Sequence, residues 1–201
     1  NQEFPEYVFS DWDRNRLYNY FVSGDSESYL FAQLNYDNFT SSTNTENWHQ
    51  ILHQKNRDGY VVIDRRPGMN ESSIYSRLYD RYGSRGSGVP GSGHYRAIYQ
   101  HEGGKRVFDV VPGTVLIGQT SPNSSVRLTE SVSIPGARFN YSRESTGNRV
   151  GAFVTTIAYP GTYTDGDGDQ VDVSRQSVQK GGYAVDERLR RPGAPDELSR
   201  W

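Results

Sequence analysis

The stretch 94–113, HYRAIYQHEGGKRVFDVVPG, restricts the fold of this chain more than any other segment. Its two runs His94–Gln100 and Lys105–Val111 are rich in β-branched and aromatic residues, which favour strands. Residues 101–104 between them contain paired glycines, which adopt the positive φ angles of a tight hairpin loop. The dipeptide Pro-Gly at 112–113 ends the second run, because proline donates no hydrogen bond to a sheet. The stretch therefore predicts a β-hairpin that closes the N-terminal half of the chain.

The residues before the hairpin mix helical and strand patterns. Three helices are predicted. The first is capped by Asp25 or Ser26 and runs to about Tyr36, and the second begins at a capping box formed by Thr43 and Glu46 and runs to about Lys55. The third runs from Asn70 to Tyr82. Two strands are predicted at Tyr7–Phe9 and Tyr60–Asp64, the second apolar enough to be buried on both faces. Ser10–Asn15 is predicted to be a polar turn, and the glycine-rich segment 84–93 a flexible surface loop.

The residues after the hairpin carry strand patterns separated by turn signals. The predicted strands lie at roughly ten-residue spacing, at Thr114–Gln119, Ser125–Ile134, Arg138–Arg143, Gly151–Tyr159 and Gln170–Ser174. Such spacing is typical of a β-sandwich, of the immunoglobulin-like or transthyretin-like kind. The fold class is therefore predicted to be α+β. We expect a mixed α/β domain with a small sheet at 1–111, an all-β sandwich domain at 112–185 and a disordered tail at 186–201.

Charge and composition exclude several classes of function. The 24 acidic and 22 basic residues give a net charge of -2, so no strong positive field is present to bind nucleic acid. The chain has no cysteine, which excludes disulfides and thiolate metal sites. No run of the sequence approaches the ~18 apolar residues of a membrane span. Because only 33% of the residues are hydrophobic, the core must depend on 15 Tyr, 8 Phe and 3 Trp.

Two short segments are candidate ligand sites. Arg65 and Arg66 follow the buried strand, and ligands of open α/β sheets bind outside the carboxyl ends of strands. A phosphate or carboxylate is thus a candidate partner for these arginines, and a solvated strand exit is the alternative. Asp165, Asp167 and Asp169 resemble the start of a calcium loop, but glutamine stands where an EF-hand requires its glycine and its final glutamate. A hairpin turn is the alternative for this segment.

Histidines offer another kind of candidate chemistry. His49 and His53 are four residues apart in a predicted helix, a spacing found in metal sites. The sequence shows no third ligand, so a solvated helix face is favoured. No nucleophile-elbow, Walker or Rossmann motif occurs, and a complete enzyme is therefore not indicated. A hydrolase that uses His94 or His101 with a neighbouring carboxylate is the enzymatic alternative.

Four stretches, taken in order, carry a resemblance to a known family. They are residues 18–24 with 29–32, the strand at 60–64, the hairpin at 94–113, and 122–126 followed by 158–163. The most specific part is the hairpin followed by Pro-Asn-Ser-Ser-Val and Ala-Tyr-Pro-Gly-Thr-Tyr. Over roughly residues 10–175, the chain resembles the C-terminal extracytoplasmic region of archaeal oligosaccharyltransferase catalytic subunits.

The resemblance implies that the chemistry belongs to a larger protein. Such enzymes transfer a lipid-linked oligosaccharide to the Asn of an Asn-X-Ser/Thr sequon, and their membrane portion binds the lipid and a divalent metal, Mn or Mg. Their soluble region helps to recognise the acceptor through a WWDYG motif. Its counterpart here is Ser10–Asn15, in which Trp12 and Asp13 match the motif. Asp11, Arg14 and Asn15 depart from it, standing in place of Trp, Tyr and Gly.

The expected function is therefore that of a domain on the extracytoplasmic face of the cell membrane, where it shapes an acceptor site. The resemblance implies no cofactor and no catalytic residue in this chain. The implied partners are the membrane portion of the same polypeptide, acceptor polypeptides with Asn-X-Ser/Thr, and the lipid-linked oligosaccharide. A non-catalytic extracellular module that binds sugars or a protein is the alternative.

Overall fold

The computed structural model describes residues 7–21, 28–53, 59–86, 88–166 and 168–185. Within these ranges the helices are α1 (Trp12–Phe21), α2 (Ser28–Ser41), α3 (Thr45–His53), α4 (Ile74–Tyr79) and α5 (Arg175–Lys180). The strands of the N-terminal half are β1 (Tyr7–Phe9), β2 (Gly59–Ile63), β3 (Tyr95–Gln100) and β4 (Arg106–Val110). The strands that follow are β5 (Thr114–Gln119), β6 (Ser125–Ile134), β7 (Ala137–Thr146), β8 (Ala152–Ile157), β9 (Gly161–Thr164), β10 (Gln170–Val173) and β11 (Tyr183–Val185).

The fold is α+β, as predicted, with a mixed N-terminal part followed by mainly antiparallel sheets. The predicted tail at 186–201 and the predicted helix start at Asp25 or Ser26 lie outside the described residues. None of the described helices is long and apolar enough to cross a membrane.

The N-terminal sheet has the strand order β1-β2-β4-β3. β1 pairs with β2 in parallel, and the other neighbours are antiparallel. β3 and β4 form the predicted hairpin. The loop between them is closed by a hydrogen bond in which the His101 N–H donates to the Lys105 carbonyl at 2.8 Å. β2 is buried on both faces, also as predicted, because Val61 and Ile63 are buried on one side and Val62 on the other.

The prediction of a polar turn at Ser10–Asn15 is wrong, because helix α1 begins at Trp12. The residues that this helix buries are polar, Asn15 and Asn19, so its hydrophobic periodicity gives no signal. The two amides lie against β1: the Asn19 side chain accepts from the Val8 N–H at 3.0 Å, and both amides donate to the Val8 carbonyl at 2.7 and 2.9 Å. The helix therefore follows the free side of β1 and satisfies backbone groups there.

The other N-terminal helices differ from their predictions at their ends. Asn44 caps α3, accepting from the Asn47 N–H at 3.0 Å, so the predicted capping box at Thr43 and Glu46 is wrong. α4 begins after Ser73 rather than at Asn70. The predicted surface loop 84–93 is partly wrong, because several of its residues are buried; a Cβ on Gly93 would lie 2.6 Å from the carbonyl oxygen of Thr156.

The C-terminal half consists of two sheets. One has the order β10-β9-β6-β7 and is antiparallel, and the other has the order β11-β5-β8, in which β11 is parallel to β5. All of the strands predicted here are present. β9 and β11 were not predicted, because each is short and follows a proline or glycine that the sequence pattern treats as a turn. α5 was not predicted either, and it has only six residues.

The described residues of the two halves share one buried cluster. Tyr159, only 1% exposed, lies at their contact. Its hydroxyl accepts from the Ala97 N–H at 2.7 Å and donates to the Tyr82 carbonyl at 2.8 Å. The joint after β4 is also held in place, because the Gly113 N–H donates to the Val178 carbonyl of α5 at 3.0 Å. Gly113 has a φ of 75°, and a Cβ there would lie 2.4 Å from the Gly93 oxygen.

We expect Tyr159→Phe to lower the free energy of unfolding by about 1 to 3 kcal/mol, because it leaves the buried Ala97 N–H and the partly buried Tyr82 carbonyl without this partner. Tyr183→Phe is the matched control, since that ring is 71% exposed, and we expect no measurable change. Urea denaturation of both variants measures the difference. Equal stability of the two variants would mean that the Tyr159 hydroxyl does not hold the halves together.

Candidate functional site at the carboxyl edge of the N-terminal sheet

The candidate site lies where β1 and β2 end. Because these strands are parallel neighbours, the segments that follow them leave the sheet at the same edge. Ser10–Asp13 follows β1, and Asp64–Arg66 follows β2. The structure thus brings together two segments that the sequence had singled out separately, one for its tryptophan and one for its arginines.

Arg66 connects the two strand ends. Its guanidinium forms ion pairs with Asp11, at the end of β1, and with Asp37 of α2, the latter at 2.8 Å. It also lies over the ring of Tyr36, 5.3 Å from the ring centroid. Asp11 in turn starts α1, because its carbonyl accepts the backbone N–H of Asn15 at 3.1 Å. Arg66 therefore sets the position from which Trp12 and Asp13 emerge.

Burial and hydrogen bonding together set the protonation states of Arg66 and Tyr36 at this edge. Partial burial disfavours the charge on Arg66, but the hydrogen bonds that its guanidinium donates to Asp37 and Asp11 outweigh this effect and raise its pKa above the usual value. Burial raises the pKa of the Tyr36 hydroxyl, which donates to the Val62 carbonyl at 2.8 Å. The site thus presents a fixed cation and a protonated phenol.

Trp12 and Asp13 lie on the first turn of α1. Trp12 is 50% exposed, so its ring is not an anchor in the core. Asp13 is also exposed, with the Arg14 guanidinium 3.8 Å away. Arg65 is exposed in the chain segment after β2. Roles for Trp12, Asp13, Arg65 and Arg66 in binding an acceptor or an anion stay predictions.

A groove runs beside this edge, between α1 and the sheet, with a volume of about 490 Å³. Its walls are mainly apolar and aromatic, formed by Val8, Tyr18, Phe21, Tyr60, Val62, Ile98, Tyr99, His101, Lys105 and Val107. At one side the Lys105 ammonium pairs with Asp64, the residue that follows β2. Burial alone would lower the pKa of Lys105, but its hydrogen bond to Asp64 raises it. The groove therefore combines aromatic surface with one fixed cation.

His49 and His94 are brought together at another place in the N-terminal half. The two rings stack at 3.7 Å between centroids, and the Nε2 atom of His94 lies 2.7 Å from a carboxylate oxygen of Glu46. Burial, together with the neighbouring His94 and His53, lowers the pKa of His49 to about 4. The hydrogen bond from His94 lowers the pKa of Glu46. The predicted solvated face is thus wrong for His49, which is buried and has an unforeseen acidic neighbour.

The alternative hydrolase required His94 or His101 beside a carboxylate. His94 has such a neighbour in Glu46, whereas His101 lies in the groove on the outer side of the hairpin. Among the described residues, the His94 ring bonds to Glu46 and the Val111 carbonyl, and the Ser92 hydroxyl accepts from the His94 backbone N–H rather than bonding to the ring. The arrangement can hold a proton or a metal ion, and it does not form a nucleophile and base pair.

The Asp-Gly turn between β9 and β10 holds itself closed. The Asp165 side chain accepts from the Asp169 N–H at 3.0 Å, and the Asp165 N–H donates to the Asp169 carbonyl at the same distance. Asp167 lies outside the described residues. The hairpin turn is therefore present, and calcium binding by Asp165, Asp167 and Asp169 stays a prediction.

Comparison with known proteins gives one consistent finding. No family model matches the chain, and no curated protein matches it in sequence. Its fold is similar to that of the oligosaccharyltransferase AglB from Archaeoglobus fulgidus. The TM-score is 0.67 against the apo form at 13% identity, covering 92% of this chain and 38% of that chain.

Two further structures of that archaeal protein agree. One is tethered to an acceptor peptide containing the NVT sequon, with a TM-score of 0.65, 13% identity, and coverage of 92% of this chain and 39% of that one. The other contains an inhibitory peptide and a dolichol-phosphate, with a TM-score of 0.66, 14% identity, and coverage of 92% and 38%. At such low identity the likeness shows the fold alone, and the chain spans about two fifths of these relatives.

We expect Arg66→Ala to lower the free energy of unfolding by about 1 to 2 kcal/mol, because the variant loses the charge-assisted hydrogen bonds to Asp11 and Asp37. The expected loss is modest because Arg66 is partly exposed, and solvent weakens such ion pairs. Arg65→Ala is the matched control, because Arg65 is the neighbour of Arg66 in the chain and its side chain is exposed. Thermal denaturation at low and high salt measures both variants. A loss that is the same in both variants would show that Arg66 does not fix the strand ends.

Proposed function

We propose that this chain is the extracytoplasmic C-terminal domain of an oligosaccharyltransferase-like membrane glycosyltransferase, and that it shapes the acceptor site for protein N-glycosylation. One observation carries the proposal. On a fold like that of an oligosaccharyltransferase, a half-exposed Trp12 stands at the exit of β1, held there by the contact of Arg66 with Asp11. Trp12 and Asp13 are the residues that match the acceptor-recognition motif of that family.

An apolar surface on α1 and α2 supports a place within a larger protein. Six large side chains on these helices are 48% to 79% exposed: Trp12, Leu17, Tyr20, Phe21, Leu30 and Leu34. Large exposed apolar patches mark sites of interaction with a protein or a membrane. The membrane portion of the same polypeptide is the proposed partner for these side chains.

The proposed division of labour leaves the reaction to that membrane portion. Attack by a sequon amide on a lipid-linked sugar needs acidic residues and a divalent metal, Mn or Mg, at the reacting atoms. In the proposal the membrane portion supplies these groups and binds the lipid-linked oligosaccharide. This chain supplies the surface that carries Trp12 beside the acceptor, on the extracytoplasmic face of the membrane.

The aromatic groove favours a second candidate function, that of a sugar-binding module. Tyr99 is 42% exposed at the groove, and tyrosine rings stack on the apolar faces of sugars. The groove lies on the outer face of the sheet, between α1 and the hairpin. A free glycan is the ligand that such a module would bind.

A peptide titration tests the proposed function. We expect a peptide containing Asn-X-Thr to bind weakly to the chain, and Trp12→Ala to weaken binding about tenfold or more, equal to ~1.4 kcal/mol. Tyr183→Ala, which removes an exposed ring far along the sequence, is the control and should leave the affinity unchanged. Chemical-shift changes in heteronuclear NMR spectra provide the measurement.

The peptide itself supplies the second comparison. Replacing its Thr by Ala should reduce binding to the same low level as Trp12→Ala. Binding that ignores both changes would overturn an acceptor site at Trp12. Binding of free glycans that is lost in Tyr99→Ala would instead support the sugar-binding module.

A further inference from the structure

The Glu46–His49–His94 cluster joins two segments that are far apart in the sequence. Glu46 and His49 are three residues apart on α3 and therefore share one face of the helix, and His94 directly precedes β3. One ligand atom from each residue lies within 4.8 Å of the others. The cluster is remote in the sequence from the segments that form the candidate acceptor site.

We propose that Glu46, His49 and His94 bind one divalent transition-metal ion, with Zn²⁺ as the best match. Two imidazole nitrogens and one carboxylate oxygen form a ligand set that suits zinc, whereas calcium and magnesium prefer oxygen ligands alone. Three protein ligands leave a fourth position for water. This inference does not depend on the proposed function.

An unpartnered nitrogen is the first independent support. The Nε2 atom of His49 is buried and has no hydrogen-bond partner among the described residues, although the residue is only 8% exposed. Buried polar atoms nearly always have a partner, so an orphan atom requires an explanation. A metal ion bound to this nitrogen supplies one.

The surroundings of His94 are the second support. While its Nε2 atom faces Glu46, its Nδ1 atom lies 3.3 Å from the Val111 carbonyl. A histidine that binds a metal commonly donates its other ring N–H to a backbone carbonyl, which fixes the tautomer and the ring orientation. The Val111 carbonyl is placed to act in this way.

Binding requires a small rearrangement. The planes of the His49 and His94 rings are only 11° apart, with the centroids 3.7 Å apart, so one ion cannot lie in both planes. One imidazole must rotate about its side-chain torsions. Ligand atoms around a tetrahedral zinc are about 3.3 Å apart, so the contact of 2.7 Å between His94 and Glu46 must also open. Zinc thus replaces a stacked, hydrogen-bonded cluster with coordination bonds.

Calorimetric titration of the tag-free, chelator-treated chain with Zn²⁺ tests the proposal. We expect one equivalent to bind, and the melting temperature to rise by about 5 to 10 °C when free Zn²⁺ is about 100-fold above Kd. Ca²⁺ and Mg²⁺ should give no such shift. Glu46→Gln and His49→Gln preserve side-chain size, and each should weaken Zn²⁺ binding at least about tenfold.

His53→Ala is the matched control. His53 is exposed one turn along α3 and stacks on His49 at 5.3 Å, but it is not a member of the cluster. This variant should retain one equivalent of bound Zn²⁺ and the shift in melting temperature. The circular dichroism of each metal-free variant verifies folding, and His94→Gln replaces any variant that does not fold.

Two results would overturn the proposal. The first is the absence of saturable Zn²⁺ binding to the folded chain, which would leave a stacked pair of histidines hydrogen-bonded to Glu46. The second is equal Zn²⁺ affinity in His49→Gln, His94→Gln and His53→Ala, which would locate any bound ion elsewhere.

Discussion

The structure depends on buried tyrosine rings, most of which bond to the backbone through their hydroxyls. Four of the largest fully buried side chains are tyrosines, at positions 95, 141, 159 and 163. All of these except Tyr95 have a backbone partner for the hydroxyl among the described residues. The Tyr141 hydroxyl donates to the Ser92 carbonyl at 2.6 Å, and that of Tyr163 donates to the Tyr159 carbonyl at 2.9 Å. Burial raises the pKa of Tyr141 to about 12, so this hydroxyl stays a proton donor at neutral pH. Directional bonds therefore supplement the apolar packing of the core.

The sequence predicted the elements whose signal is local. The hairpin of β3 and β4 and the buried strand β2 follow from runs of β-branched and aromatic residues bounded by glycine or proline. α1 could not be predicted in this way, because it buries Asn15 and Asn19 and exposes Leu17 and Phe21. Its position is decided by the backbone groups of β1, which the periodicity of the helix does not reveal.

The candidate site was predictable only in part, for the same reason. Trp12 was identified by resemblance and Arg66 by its place after a buried strand. Their proximity follows from the parallel pairing of β1 with β2, which no local pattern encodes. The contact of Glu46 with His94 spans 48 residues, and the predicted capping box had assigned Glu46 another role. Contacts between distant segments are set by tertiary packing, and sequence spacing alone does not identify them.

The amides that line β1 restrict how a peptide can be recognised. Many proteins bind an extended peptide by adding it as a further strand to an open sheet edge. At β1 this mode is blocked, because the N–H and the carbonyl of Val8 are already bonded to Asn15 and Asn19. Under the proposed function, a peptide beside Trp12 would instead be recognised through side chains at the strand exits. Such recognition would suit a motif of a few residues and make little demand on the flanking sequence, so it would accept peptides of very different sequence.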